Sequence, residues 1–448
     1  MAVQPLSVDQ RNPVVLQTDL LVVGAGAAGV AAAVTAARQG LKVTLVERYG
    51  FCGGGAVAGL SGTICGMYEA SDDSAARPNQ IVHGFLDEFV HHMSERGGLT
   101  PPVRYGKTFT RVHDPLIWRE TADAMLRDAG VQTLLHTTVT GVLVEGGEKI
   151  DGIIAFTKQG QLSARAKVTI DASGDADVVA MAGLPTFMGE SGKIQNPTMI
   201  FRLGGVDTER FLSTYGLDSI MGRTVTELIT RMHNSQEYRL PRAKIFLFPT
   251  PRPNELLCNC TRIIGRDGRE LNPLLVEDMT EAEIEGRLQV REYARFFRDH
   301  LVGCENSFVN DTGVQVGVRQ TRQILGRTVL RNEDVTRGSK FRNGVARSPW
   351  PIELHSGDKP QLVWLTNDFY EIPLDCFVPE RGEGVLAAGR CLSAEHEAMA
   401  SARVTAQCFS YGHAVGHAAA IAVTENLSPH AVDAAEVRER LNRDGAQL

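Results

Sequence analysis

Three glycines and one carboxylate carry the first recognisable chemistry in this chain. Gly24, Gly26 and Gly29 stand in G-x-G-x-x-G spacing within "VVGAGAAGVAAAVTAARQGLKVTLVERYGFCGGG" (22–55), and Glu47 closes the apolar run that follows. In such spacing the first glycine permits a tight turn, the second lets a pyrophosphate approach the backbone, and the third lets a helix pack closely on a strand. A carboxylate at the end of the next strand accepts hydrogen bonds from ribose hydroxyls and repels a 2′-phosphate. The chemistry implied is binding of a dinucleotide with an unphosphorylated ribose. FAD and NAD both satisfy it.

These residues act only if a βαβ unit positions them. Asp19–Val23 (DLLVV) reads as a strand, the Ala-rich stretch to Arg38 as a helix, and Val43–Val46 as a second strand. In "RYGFCGGGAVAG" (48–59), Gly53, Gly54 and Gly55 leave the backbone bare, so this loop can pass close to a ligand extending beyond the pyrophosphate. NAD has no evident need of such a loop. "AKVTIDASGDADVVAMAG" (166–183) reads as a strand, an Ala172-Ser173-Gly174 turn and a helix with an acidic first turn. The segment 383–422 reads as a strand, a Gly389-Arg390 turn and a long helix whose face at Thr405, Gly412, Gly416 and Ala419 is small enough for close packing. Between 190 and 345 there is no second G-x-G-x-x-G. That stretch offers a strand-like "KIFLFPTP" (244–251) and a helix near 281–301 with Val290, Ala294, Phe297 and Leu301 on one core-facing stripe. A loop-and-helix excursion at 66–110 is expected to flank the active site.

Composition narrows the class. A chain of 448 residues exceeds the size at which one core stops growing, so two domains are expected. A net charge of −7 argues against nucleic acid, which selects clustered Lys and Arg. No run of roughly 18 apolar residues suggests a membrane span, and MAVQPLSVDQRNP has neither the basic nor the apolar region of a signal peptide, so a cytoplasmic protein is expected. The eight cysteines are scattered, with no C-x-x-C, which fits neither a disulfide framework, a zinc ribbon nor a ferredoxin-type cluster. His91-His92 cannot share a helical face. His413 and His417 are spaced i, i+4 but have no acidic partner in the same motif, so both pairs are read as satisfied helix histidines and no metal site is expected.

Taken in order, "RYGFCGG" (48–54), "IDASGDADV" (170–178), "VGVRQTRQILG" (316–326), "YEIPLDCFVPE" (370–380) and "AGRCLSAEHEAMASARV" (388–404) resemble the FAD-dependent oxidoreductases of the glutathione-reductase-like class, in the branch related to succinate dehydrogenase and fumarate reductase flavoproteins. The resemblance implies an α/β fold: a Rossmann-like FAD-binding domain made of 14–189 and 346–448, with an α+β substrate-capping domain inserted at 190–345. It also implies that Gly24, Gly26, Ala27, Ala28 and Gly29 face the pyrophosphate and Glu47 the adenine ribose. Arg48, Cys52, Gly53 and Gly54 would line the phosphate and ribityl region, and Val139 would touch the adenine. Ala172 and Gly174 would lie under the dinucleotide, Gly389 and Arg390 near the ribityl chain. A helix from about Ala402, with Arg403 and Val404 at its start, would turn its positive end to the flavin pyrimidine. Gly-Arg at 389–390 replaces the Gly-Asp of many members, and Cys52 replaces an aliphatic residue. A thiolate there could attach the flavin at its 8α-methyl, although a small apolar filler is the expected role.

The activity implied is hydride transfer between a small organic substrate and flavin N5, as a dehydrogenase or reductase. The rivals are an oxygen-using oxidase or monooxygenase, and a non-catalytic flavoprotein subunit or redox sensor. His396 is expected to exchange the proton and Arg403 to clamp a carboxylate or stabilise an enolate. Arg319, Arg322, His355 and Tyr370 form a second tier of candidates, for which packing or the surface is the expected role. Expected partners are the small-molecule substrate, an electron-acceptor protein or oxygen, and a second copy of the chain.

Overall fold

The structure, a computed structural model, describes residues 14–355 and 361–448. Strand β1 (Val14–Val23) leads through a glycine turn into helix α1 (Ala27–Arg38) and back to β2 (Val43–Val46). Leu20, Leu21 and Val22 of β1 are fully buried. A strand covered on both faces takes a continuous apolar run instead of an alternating one, which is why DLLVV reads as it does. The excursion that follows holds α2 (Phe85–Glu95) and α3 (Pro115–Asp128). Asp114 caps α3 by accepting the Leu116 and Ile117 N–H groups, with Pro115 at the first helical position.

Strands β3 (Gln132–Leu134), β4 (Thr138–Glu145), β5 (Lys149–Thr157) and β6 (Gly160–Asp171) complete most of a seven-stranded sheet in the order β3-β2-β1-β6-β5-β4. β3, β2, β1 and β6 run parallel, while β4 and β5 form an antiparallel meander on the first half of β6.

A second core runs from Met199 to Val316. Its sheet comprises β7 (Phe201–Gly204), β8 (Phe246–Pro249), β9 (Glu255–Asn259) and β10 (Phe308–Thr312), antiparallel throughout in the order β8-β9-β7-β10. The long helix α4 (Val276–His300) packs on it through buried Val290, Ala294 and Phe297, the stripe expected from the sequence.

The chain then makes the short strand β11 (Ile352–Leu354) and returns to the first sheet with β12 (Val385–Ala387), which pairs in parallel with the far half of β6. Two helices follow, α5 (His396–Ala402) and α6 (Thr405–Thr424). A Cβ on Gly412 would stand 2.0 Å from the Ala28 carbonyl oxygen, so α6 crosses α1 with backbones nearly touching. The terminal helix α7 (Ala434–Arg443) lies against α6. Among the described residues no helix is long and apolar enough to cross a membrane.

Candidate active site

An elongated cleft, with about 320 Å³ open to the centres of water molecules, runs along the C-terminal ends of the central strands and under the second sheet. In open parallel sheets ligands bind in the crevice beyond the carboxyl ends of the strands, which is this position. One half is a glycine cradle. Gly24 turns at φ +98°, and a Cβ there would meet the Ala172 carbonyl oxygen at 2.4 Å, because β1 and β6 end side by side. Gly54, at φ +46°, brings its loop so close to the first that a Cβ would stand 2.9 Å from Gly26 Cα. The Gly53 N–H donates to the Ala25 carbonyl at 2.8 Å and locks the two loops together. The buried Glu47 carboxylate accepts the Ala25 N–H at 2.8 Å and the Tyr49 N–H at 2.9 Å, which fixes its place at the end of β2.

Arg48 reaches from the same strand end to donate to Gln315 of the second unit at 3.1 Å. Arg390 forms an ion pair with Asp175 at 3.1 Å and lies across Gly174, where a Cβ would sit 2.8 Å from its guanidinium. The Gly-Arg turn therefore carries a cation held by the "SGDAD" loop.

The other half of the cleft is an electrostatic pocket. Glu353 on β11 is 8% exposed, accepts the Tyr105 hydroxyl at 2.8 Å and lies 2.9 Å from His355 Nε2. Arg319 donates to the Asn196 carbonyl at 2.8 Å and to the Thr198 hydroxyl; Arg403 donates to Gln195 at 3.1 Å. Arg403 Nε and one Nη of Arg242 are buried with no hydrogen-bond partner among the described residues. Burial and then the neighbouring Arg403 and Arg242 press the Arg319 guanidinium well below its ordinary pKa. Burial likewise lowers Arg403, with Glu353 opposing it. Burial and the Arg319 charge push His355 down to about 3, so the imidazole is neutral near pH 7. Burial alone would raise the Glu353 carboxyl, but His355, Arg403 and the Tyr105 hydroxyl outweigh it and the group stays ionised. Among the described residues, Arg319 and Arg403 in the cleft wall and Arg242 behind them thus share the Glu353 carboxylate, an excess of positive charge with unspent donors.

Most of the sequence-selected residues converge here. Gly24, Gly26, Ala27, Ala28, Glu47, Arg48, Gly53, Gly54, Val139, Ala172, Gly174, Gly389, Arg390, Arg403 and Val404 all line the cleft. Three do not. A Cβ on Gly29 would fall 1.9 Å from the Gly24 carbonyl oxygen, so this glycine serves helix–strand packing and does not face the cleft. Cys52 is wholly buried beside Asp123 of α3, and burial first, then that carboxylate, raises its thiol far above the ordinary value. It is neither a thiolate nor a lining group, so it serves as the small filler. His396 opens α5 but faces the Gly189–Lys193 loop, and its Nδ1 lies buried without a partner among the described residues. The helix expected from about Ala402 begins at Thr405 and is preceded by the separate short helix α5; the break between them at Arg403-Val404 is what turns both residues into the cleft.

His355 and Arg319 were expected to be packing or surface residues; both line the cleft. Arg322 and Tyr370 do serve structure, bonding Asp177 at 2.5 Å and Ser401 at 2.8 Å. The available signal for Glu353 and His355 was their alternation in "IELH", which puts both on one side of a strand.

A glycine cradle a Cβ would fill, a buried carboxylate at the second strand end and a helix N-terminus facing the cleft fit FAD and define a dinucleotide-dependent oxidoreductase of the α/β class. The sequence pattern of the FAD-dependent oxidoreductase family matches residues 19–441, and the chain belongs to that family. It is an enzyme whose cofactor is FAD. A comparison with curated proteins finds no match. Among solved structures, the flavin-dependent brominase Bmp2 superposes with a TM-score of 0.51 at 14% identity, covering 95% of this chain and 84% of that one. A geranylgeranyl bacteriochlorophyll reductase-like protein from Thermoplasma acidophilum gives 0.49 at 15%, over 96% and 83% of the two chains. The p-nitrophenol 4-monooxygenase PnpA of Pseudomonas putida gives 0.46 at 12%, over 97% and 85%. At such identities the likeness is one of fold alone.

Proposed function

We propose that this FAD-dependent oxidoreductase transfers a hydride between the flavin and a small organic substrate that carries an anionic group. The observation that carries the reading is the set of buried arginines, Arg319, Arg403 and Arg242, around the Glu353 carboxylate, the one carboxylate they share among the described residues. Gly24, Gly26, Ala27 and Ala28, at the start of α1, would hold the pyrophosphate; Glu47 would hold the adenine ribose and Val139 would touch the adenine. Gly54, Arg48, Gly174, Gly389 and Arg390 would surround the middle of the cofactor, with Val404 and the start of α6 at its far end. Residues 190–345 would act as the cap, since Thr198, Asn259, Gln315 and Arg319 close the cleft from that side. FAD supplies the hydride acceptor or donor.

The protein's own groups do the rest. Arg319 and Arg403 bind the anion and orient the carbon that exchanges hydride. His355, neutral and held by Glu353, takes the accompanying proton in oxidation and returns it in reduction. The substrate's charge offsets Arg319, the cation that depresses His355, so substrate binding itself raises the imidazole toward a useful basicity. His396 has no part in this scheme.

The test is anaerobic mixing of the flavin-loaded enzyme with small hydroxy and unsaturated carboxylic acids and with their neutral amides. Acids should change the flavin redox state with saturation while amides fail, and Arg403→Met should raise the half-saturating concentration at least about tenfold. Equal action of the amides would overturn the anionic substrate. A flavin that leaves every acid unchanged, but oxygenates a substrate in air, would overturn hydride transfer in favour of the monooxygenase reading.

A further inference from the structure

A second constellation lies outside the cleft, where α6 meets the end of the chain. His413 and His417, one turn apart on α6, have side chains only 3% and 1% exposed. Asp444, the residue capping α7, brings one carboxylate oxygen to 3.1 Å from His413 Nε2 and 2.9 Å from His417 Nε2. One potential ligand atom from each residue falls in a group no more than 4.8 Å across. The acidic partner missing from the local motif is thus supplied from the C-terminus. The Asp444 side chain is 45% exposed, so the group opens to solvent on one side. His413 Nδ1 meets the Phe85 N–H at 3.5 Å, the long limit of a hydrogen bond; Arg440 lies near His417 and Arg38 near Asp444.

We propose that His413, His417 and Asp444 bind a divalent transition-metal ion, zinc by the nature of the donors, and that the ion ties α7 to α6. Two imidazole nitrogens and a carboxylate oxygen are a zinc donor set, with a water completing four-coordination at the exposed side. For tetrahedral zinc, bond lengths near 2.1 Å place ligand atoms about 3.4 Å apart. The two carboxylate–imidazole separations of 3.1 and 2.9 Å need to widen by a few tenths of an ångström, and all three ligand atoms already lie within 4.8 Å of one another. An i, i+4 histidine pair puts two ligands on one helical face without strain. Nothing in this site depends on the flavin chemistry, and its failure would leave the proposed function untouched.

The test uses the flavin-loaded enzyme after dialysis against a chelator. Zinc is titrated in competition with a chromophoric chelator, metal per chain is measured by elemental mass spectrometry, and the thermal midpoint is followed with and without zinc. The expected result is one zinc per chain and a raised midpoint in the wild type. Asp444→Ala, at a half-exposed position, should weaken zinc at least about tenfold and abolish the rise while leaving flavin absorbance unchanged. Asp444→Asn, which keeps the shape, should behave alike. Equal zinc uptake by the wild type and both variants, or no uptake by the wild type, would overturn the site and leave a pair of histidine–aspartate hydrogen bonds.

Discussion

Replacing Glu353 by Gln separates binding from chemistry. Among the described residues the carboxylate is the one anion shared by Arg319, Arg403 and Arg242, and a bound substrate anion must share those cations with it. At an effective dielectric constant of about 20, two like charges about 6 Å apart repel by about 3 kcal/mol. Water in the open cleft and salt screening reduce this to about 1.4 kcal/mol, a factor of about ten. Glu353→Gln should therefore bind an unreactive carboxylate about tenfold more tightly, read as the dissociation constant from flavin difference spectra at low salt. The same variant leaves His355 without its counter-charge when it takes a proton, so kcat should fall at least about tenfold. Without any anion the variant should also melt earlier than the wild type, because three buried cations have lost their carboxylate, and added carboxylate should restore the midpoint. Unchanged or weaker anion binding in Glu353→Gln would refute the reasoning, since Glu353 would then not share the arginines with the ligand.

Other outcomes follow from the same geometry. Burial holds His355 at about 3 and His113 at about 4, against about 6.5 in an unfolded chain. Between these values the unfolded state binds more protons, so stability should fall as pH drops from about 6.5 toward 4; denaturant midpoints that stay flat over that range would contradict the buried neutral histidines. Gly54→Val adds a side chain at positive φ where even a Cβ lies 2.9 Å from Gly26, and should cost about 2–4 kcal/mol and much of the FAD content of the purified protein. Acid precipitation should release all flavin as free FAD, and Cys52→Ala should remain yellow; flavin retained in the pellet would return Cys52 to the cofactor. His396→Ala should keep kcat within about threefold, whereas a loss of a hundredfold or more would restore its catalytic role.

The part of the site legible in the sequence is the part made by local chain. Gly24, Gly26 and Glu47 sit on consecutive elements of one βαβ unit, so their spacing alone fixes their relations. Gly412 likewise announces its close crossing with α1 by being small at helical spacing. The arginine pocket is different: Tyr105, Arg319, Glu353 and Arg403 come from four segments far apart in the chain, and no local periodicity encodes their meeting. His396 illustrates the converse. Its motif is local and clear, but α5 carries it against the Gly189–Lys193 loop, while the break at Arg403-Val404 turns those two residues into the cleft. Asp444 stands 27 residues beyond His417, so its approach to α6 depends on how α7 docks.

The most direct measurement titrates the flavin-loaded enzyme with a small unreactive carboxylate and follows the flavin spectrum in the wild type, Arg319→Met and Arg403→Met. A saturable perturbation in the wild type, weakened at least about tenfold in both variants at unchanged FAD content, is the expected result. The same perturbation at the same concentrations in all three proteins would contradict an anion site beside the flavin.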